Sequence, residues 1–174
     1  NREVREVLRS VHTASNVDAW GSLLYTYFLP VQATEEPSED QIHPGKNKCF
    51  RAGIYGKKWG KTTFAQLVTA THKISQRSAW SDEGEKYLKL NVQATGRGII
   101  MQDGKEAVLE AGEFAFLDSN KPYSVLYEGD SISQVLQFPS RLLNLPEEPV
   151  RELSVLPFTR TNPLAKPLTG IAQE

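Results

Sequence analysis

The sequence is poor in the residues that carry most disulfide, redox and metal chemistry. Its one cysteine, Cys49, excludes an intrachain disulfide framework, and a lone thiol reads as a small buried hydrophobe before it reads as a nucleophile. The three histidines, His12, His43 and His72, are scattered, and none has a second ligand-type residue at metal-site spacing. A β-barrel metal site draws two histidines from one strand, because alternate residues project to the same side. The same-face neighbours of His72 are Ala70 and Ile74, so no metal and no other cofactor is expected. No sign of charge dominates: 20 Lys+Arg against 21 Asp+Glu give a net charge of -1, which excludes a grip on nucleic acid through bulk positive charge. No apolar run approaches the roughly 20 residues that span a bilayer. Asn1 to Ser10 mixes charged and apolar residues without the apolar core of a signal peptide. The expectation is a cytoplasmic chain with no membrane partner.

Catalytic motifs are equally scarce. Gly56-Lys57-Lys58-Trp59-Gly60-Lys61-Thr62 ends like a phosphate-binding loop, but it has three residues between its glycines where the motif needs four. Alternating, strand-like residues follow it instead of a helix, so it reads as a basic surface turn. The paired carboxylates Glu35-Glu36 and Glu147-Glu148 sit among prolines as solvated charge. Neither a nucleophile elbow nor a Ser-His-Asp arrangement is present. A non-enzymatic chain is expected.

What is present is short-period alternation. Apolar residues make up 39% of the 174, enough for one core. Val4, Val7, Leu8 and Val11 give a short first helix over Asn1 to Val11, with a strand as the alternative. Ser15 or Asn16 caps a better one, whose Val17, Trp20, Leu23, Leu24, Tyr27 and Phe28 share a face before Pro30. Thr34 to Lys48 reads as a polar loop. From Phe50 the period changes. Phe64, Val68, Ala70 and Ile74 lie on one face of an alternating stretch, and Leu88, Leu90 and Val92 alternate with Lys89, Asn91 and Gln93 as in a half-buried strand. Asp103-Gly104 between two β-prone arms predicts a tight hairpin with a type I′ turn. A strand over Glu113 to Leu117 and a second hairpin, turning at Gly129-Asp130 between Tyr123–Tyr127 and Ile132–Phe138, complete an antiparallel sandwich or barrel. One helical turn, Ser140 to Leu145, follows Pro139.

The stretch from Phe50 to Pro146 resembles the ligand-sensing N-terminal domain of AraC/XylS-type bacterial transcription regulators. The resemblance rests on Val17-Asp18-Ala19-Trp20 with Phe28-Leu29-Pro30, on Phe50-Arg51-Ala52-Gly53, and on Gly96-Arg97-Gly98 leading into Gln102-Asp103-Gly104. Ala111-Gly112-Glu113-Phe114, Asp118-Ser119-Asn120-Lys121-Pro122-Tyr123 and Gln137-Phe138-Pro139-Ser140-Arg141-Leu142-Leu143 follow in the family's order. The resemblance implies a mainly β fold, an antiparallel double-stranded β-helix (a cupin-like jelly-roll barrel) with flanking helices at both ends. Residues 1–48 would carry the helices and loop, 49–146 the sensor barrel, and 147–174 a proline-containing tail leading to a C-terminal module. It also implies a small-molecule effector as partner. DNA would be bound only through a C-terminal helix-turn-helix module, for which these residues offer no recognition helix. A homodimer of the intact regulator is implied too; Leu142, Leu143 and Leu145 either contribute to it or cap the barrel. The alternatives are a metal-dependent cupin enzyme and a ligand-free interaction barrel.

Pockets in barrels combine an apolar lining with a few inward polar groups. Gln66 and His72 share a face with Phe64, Val68, Ala70 and Ile74, and Gln134 shares one with Ile132, Leu136 and Phe138. Trp80 and Tyr123, near strand ends, would supply aromatic walls with a polar edge. Gln66, His72, Trp80, Tyr123 and Gln134 are therefore the expected ligand contacts, with a satisfied core or surface position as the alternative for each.

Overall fold

The computed structural model describes residues 12–28, 31–35, 50–77, 84–144 and 155. The expected first helix and the 36–48 part of the expected loop lie outside them. One helix, α1 (Val17–Tyr27), is nucleated by Asn16, whose side-chain oxygen accepts a hydrogen bond from Ala19 N at 2.8 Å, with Asp18 in the first turn favourably placed on the helix dipole. Its four-residue spacing buries Trp20, Leu24 and, at the cap, Phe28. Two short strands that the sequence does not announce flank it, β1 (His12–Ala14) and β2 (Gln32–Thr34).

The remaining strands are β3 (Ala52–Trp59), β4 (Thr62–Thr69), β5 (His72–Gln76), β6 (Tyr87–Gln102), β7 (Lys105–Leu109), β8 (Phe114–Asp118) and β9 (Tyr123–Pro139). All their pairings are antiparallel. The long strands β6 and β9 pair along their whole length, Tyr87 opposite Pro139 and Met101 opposite Ser124. The first half of β9 adds β5 and β2 on its free edge, while its second half adds β4, β3 and β1. β6 carries β8 beside its first half and β7 beside its second. Two curled sheets thus share two bent strands and close on each other as a jelly roll. The fold is the expected one at this level, with one exception at the C-terminal flank: a 3-10 turn, Ser140–Leu143, stands where a helical turn is expected.

The second expected hairpin does not exist. β9 runs straight through Gly129-Asp130, because those residues face a matching bend in β6 instead of reversing the chain. There the register slips twice, between Gln93 and Arg97, and Gly96 adopts φ +73°. A Cβ on Gly96 would lie 2.8 Å from the Asp130 carbonyl oxygen, so the close crossing itself demands glycine. The first hairpin is as expected: Asp103 and Gly104 have φ +52° and +72°, the two positive values of a type I′ turn. Nothing lies within 4 Å of a Gly104 Cβ, so Gly104→Val introduces backbone strain without a clash. It should cost about 1 kcal/mol of stability in a urea titration, and an unchanged midpoint would refute this turn geometry.

Faces are where structure and sequence part. β4 turns Thr63, Ala65, Leu67 and Thr69 inward and leaves Phe64, Gln66 and Val68 outside. A break at Ala70-Thr71 then reverses the parity, so β5 turns His72, Ile74 and Gln76 inward. β6 buries Lys89, Asn91 and Gln93, and β9 buries Ser131, Ser133, Val135 and Gln137. The apolar alternation of Leu88, Leu90 and Val92 belongs instead to the outer face. There Leu90, Val92 and Phe116 pack around Phe114 in a second, smaller cluster.

Candidate functional site

Between α1 and the inner faces of the two sheets lies a small cavity of about 30 Å³, enough to hold water. Leu24, Phe28 and Val31 close one side, and Leu67, Ile74, Val125, Tyr127 and Val135 give an apolar wall. Three groups break that wall: Lys89, Asn91 and Tyr123. Lys89 and Asn91 come from alternate residues of β6 and therefore project to the same side. Tyr123 opens β9 and is fixed by the turn before it. Gln102 clamps that turn from β6, its amide donating to the Asp118 carbonyl at 2.7 Å and accepting from Asp118 N at 2.9 Å. Gln76 reaches it from β5 and donates to the Ser119 carbonyl at 2.6 Å.

Lys89 is 4% exposed. Its Nζ donates to the Tyr123 hydroxyl at 2.5 Å and lies 4.8 Å from the Phe28 ring centre and 5.0 Å from that of Tyr123. No carboxylate neutralises it among the described residues. Burial alone pulls its pKa down from 10.5 to about 7, because a charged amine loses its hydration there. The Tyr123 and Tyr127 phenols are pushed up for the same reason.

Behind the wall stands His72, fully buried. Trp20 Nε1 donates to its Nε2 at 2.9 Å, and its Nδ1 lies 2.8 Å from the Ala70 carbonyl oxygen. Both bonds are satisfied only by the neutral ring protonated at Nδ1, and burial lowers its pKa from 6.5 to about 4. The ring stacks on Tyr127 at 5.2 Å. Helix α1, His72 and the cavity wall are thereby one packed chain of contacts, Trp20 to His72 to Tyr127.

A small, mostly apolar cavity with a few converging polar groups, at the waist of a jelly roll, is the geometry of a binding domain. The AraC-binding-like domain model matches residues 40–174. The chain belongs to the AraC-binding-like domain family. It is 34% identical over 79 residues, 45% of its length, to an uncharacterized protein in the nit 5′ region of Bacillus sp. (strain OxB-1), and those residues cover 29% of that protein. Among solved structures it resembles the AraC-like transcriptional activator CuxR, with a TM-score of 0.64 and 17% identity over 94% of this chain and 59% of that one. Weaker likeness extends to cupins, such as an RmlC-like cupin from Shewanella frigidimarina NCIMB 400, with TM-score 0.42 and 12% identity over 54% of this chain and 81% of that one. The chain thus spans less than two thirds of each of the first two proteins.

Of the five residues expected to contact a ligand, this AraC-binding-like domain brings Tyr123 to the cavity and His72 to the layer behind it. Gln66 and Gln134 meet each other instead, 3.5 Å apart and half-buried on the outer face. They do not share a face with His72, because of the parity break at Ala70-Thr71. Trp80 lies outside the described residues. Sequence reasoning missed Lys89 and Asn91, which sit on what looks like the solvent face of β6. Their only local signal is that both alternating faces of that strand were available for burial. Among the described residues no three His, Cys, Asp or Glu side chains are grouped to hold a metal ion, and no helix is long and apolar enough to cross a membrane.

Proposed function

We propose that this domain is the effector-binding part of a cytoplasmic transcription regulator, and that its effector occupies the cavity bounded by α1. The observation that carries this reading is the lining: eight apolar or aromatic side chains interrupted by Lys89, Asn91 and Tyr123. Tyr123, Lys89 and Asn91 touch the ligand, and His72 is a positioning residue that holds Tyr127 and the helix. The cavity admits an effector larger than itself by outward movement of Leu24 and Phe28. Occupancy therefore changes the seat of α1, and the helix becomes the signal. In this reading the site binds its ligand without transforming it. DNA contact belongs to a helix-turn-helix module elsewhere in the intact regulator. Leu142, 57% exposed on the 3-10 turn beside half-buried Leu143, is an apolar contact for a second copy, while Leu145 lies outside the described residues.

Thermal-shift screening of a metabolite library tests this. A ligand at a hundred times its Kd should stabilise the domain by about 2.7 kcal/mol. Val135→Phe, which fills the cavity, should abolish the shift. A ligand that stabilises the variant and the parent equally would move the site out of the cavity.

A further inference from the structure

Every polar group at the cavity can donate a hydrogen bond, and none carries negative charge. Lys89 Nζ has three protons when charged and uses one on Tyr123. The Tyr123 hydroxyl, accepting from Lys89, keeps its own proton for another partner. The Asn91 side chain makes no hydrogen bond among the described residues, and it is 6% exposed. The titratable groups facing Lys89 from the packed elements are Tyr123 and Tyr127, both phenols; α1, β4 and β5 contribute only Leu24, Phe28, Leu67 and Ile74 to the lining. A buried amine with no counter-charge is costly, and a fold retains it readily when something else supplies the charge.

We propose that the ligand of this cavity is a small monocarboxylate with an apolar body, its carboxylate held by Lys89, Tyr123 and Asn91 and its body lying against Leu24, Phe28, Leu67 and Val125. This rests on the reading of the cavity as the effector site. One negative charge matches one amine, and a narrow apolar chamber has no second cation for a dianion.

The pH dependence follows from the geometry. In the free domain Lys89 loses its proton near neutrality; beside a bound carboxylate it keeps it. Binding at pH 8 to 9 must therefore take up close to one proton, and affinity should fall toward tenfold per pH unit above about 7. The matched amides carry no charge and should show neither effect.

The test is calorimetry with butyrate, benzoate and phenylacetate against butyramide, benzamide and phenylacetamide, in two buffers of different ionisation enthalpy, at pH 6.5 and 8.5. At least one acid should bind more than tenfold tighter than its amide at pH 6.5 and take up a proton at pH 8.5. Lys89→Met should weaken that acid by tenfold to a hundredfold and leave the amide within about threefold. Because the proton uptake is measured on the unaltered domain, the outcome does not depend on the variant folding. Amides that bind as tightly as acids, or acid binding without proton uptake, would overturn the carboxylate while leaving the cavity as the effector site. Binding by no member of either set, together with no hit in the library screen, would overturn both.

Discussion

Raising the pH from 7 toward 10 should stabilise this domain by roughly 4 kcal/mol. Lys89 is the cause. Its pKa is about 7 in the fold and 10.5 in the unfolded chain, so between those values the unfolded state binds more protons than the folded one. Stability then rises with pH by about 1.36 kcal/mol per unit. The contribution is complete above the unfolded value and lost as pH falls through the folded one. Tyr123 and Tyr127 set the upper end: both are pushed up by burial, so above about pH 10 the unfolded chain ionises its phenols first and the curve turns down. Urea titrations at unit intervals from pH 7 to 10 read the limb directly. Lys89→Met keeps the length of the side chain without the amine. It should be more stable than the parent at pH 7 by about 2 kcal/mol or more, and its alkaline limb should be flat. A parent whose stability is constant or falling between pH 7 and 9.5 would mean that Lys89 reaches water.

The largest loss should come from Trp20→Ala, about 4 kcal/mol. The side chain is fully buried, and removing so large a group from a core leaves a cavity the surroundings fill only in part. It also strips His72 Nε2 of its donor. The same histidine governs the acid side. With a pKa of about 4 in the fold and 6.5 unfolded, it stays neutral inside while the unfolded chain protonates. The domain should therefore lose about 3 kcal/mol as pH falls from 6.5 to 4. In Trp20→Ala water reaches the ring, its pKa returns toward 6.5, and that part of the acid loss should shrink. Trp20→Phe retains most of the volume and separates the hydrogen bond from the packing. Equal stability of Trp20→Ala and the parent at pH 7 would contradict the burial of the helix.

The architecture was legible because its signals are local. Asp103-Gly104 needs two positive φ values whatever surrounds it, and Asn16 caps α1 with its own side chain. Orientation was not, because it is decided by partners distant in sequence. Leu90 and Val92 satisfy the alternation rule, and so do Lys89, Asn91 and Gln93; only the packing of Phe114 and Phe116 on one side and α1 on the other selects between them. Where both sets of alternating residues in a strand find neighbours to pack on, hydrophobic alternation does not say which face is inside. The same ambiguity hid the β9 bend, where Gly129-Asp130 looks like a reversal. It becomes a crossing because β6 bends at Gly96 opposite it. Tyr123 was found because an aromatic after a turn is visible in one chain segment. Lys89 was not, because a lysine in a strand reads as solvent-facing until its neighbours are known.

The position of β9 has a consequence for how the chain is made. It is the last of the described strands in sequence and yet lies in the middle, with β4 and β5 on one edge and β6 on the other. As the polypeptide leaves the ribosome, β4, β5 and the inner edge of β6 have no strand partner, and their backbone groups are bonded to water, until Tyr123–Pro139 arrives. At translation speeds of about 5–20 residues per second, β4 spends several seconds with that edge open. The sheet therefore closes late in synthesis, and the hairpin β3–β4 is the part of it that can pair before β9 has been made.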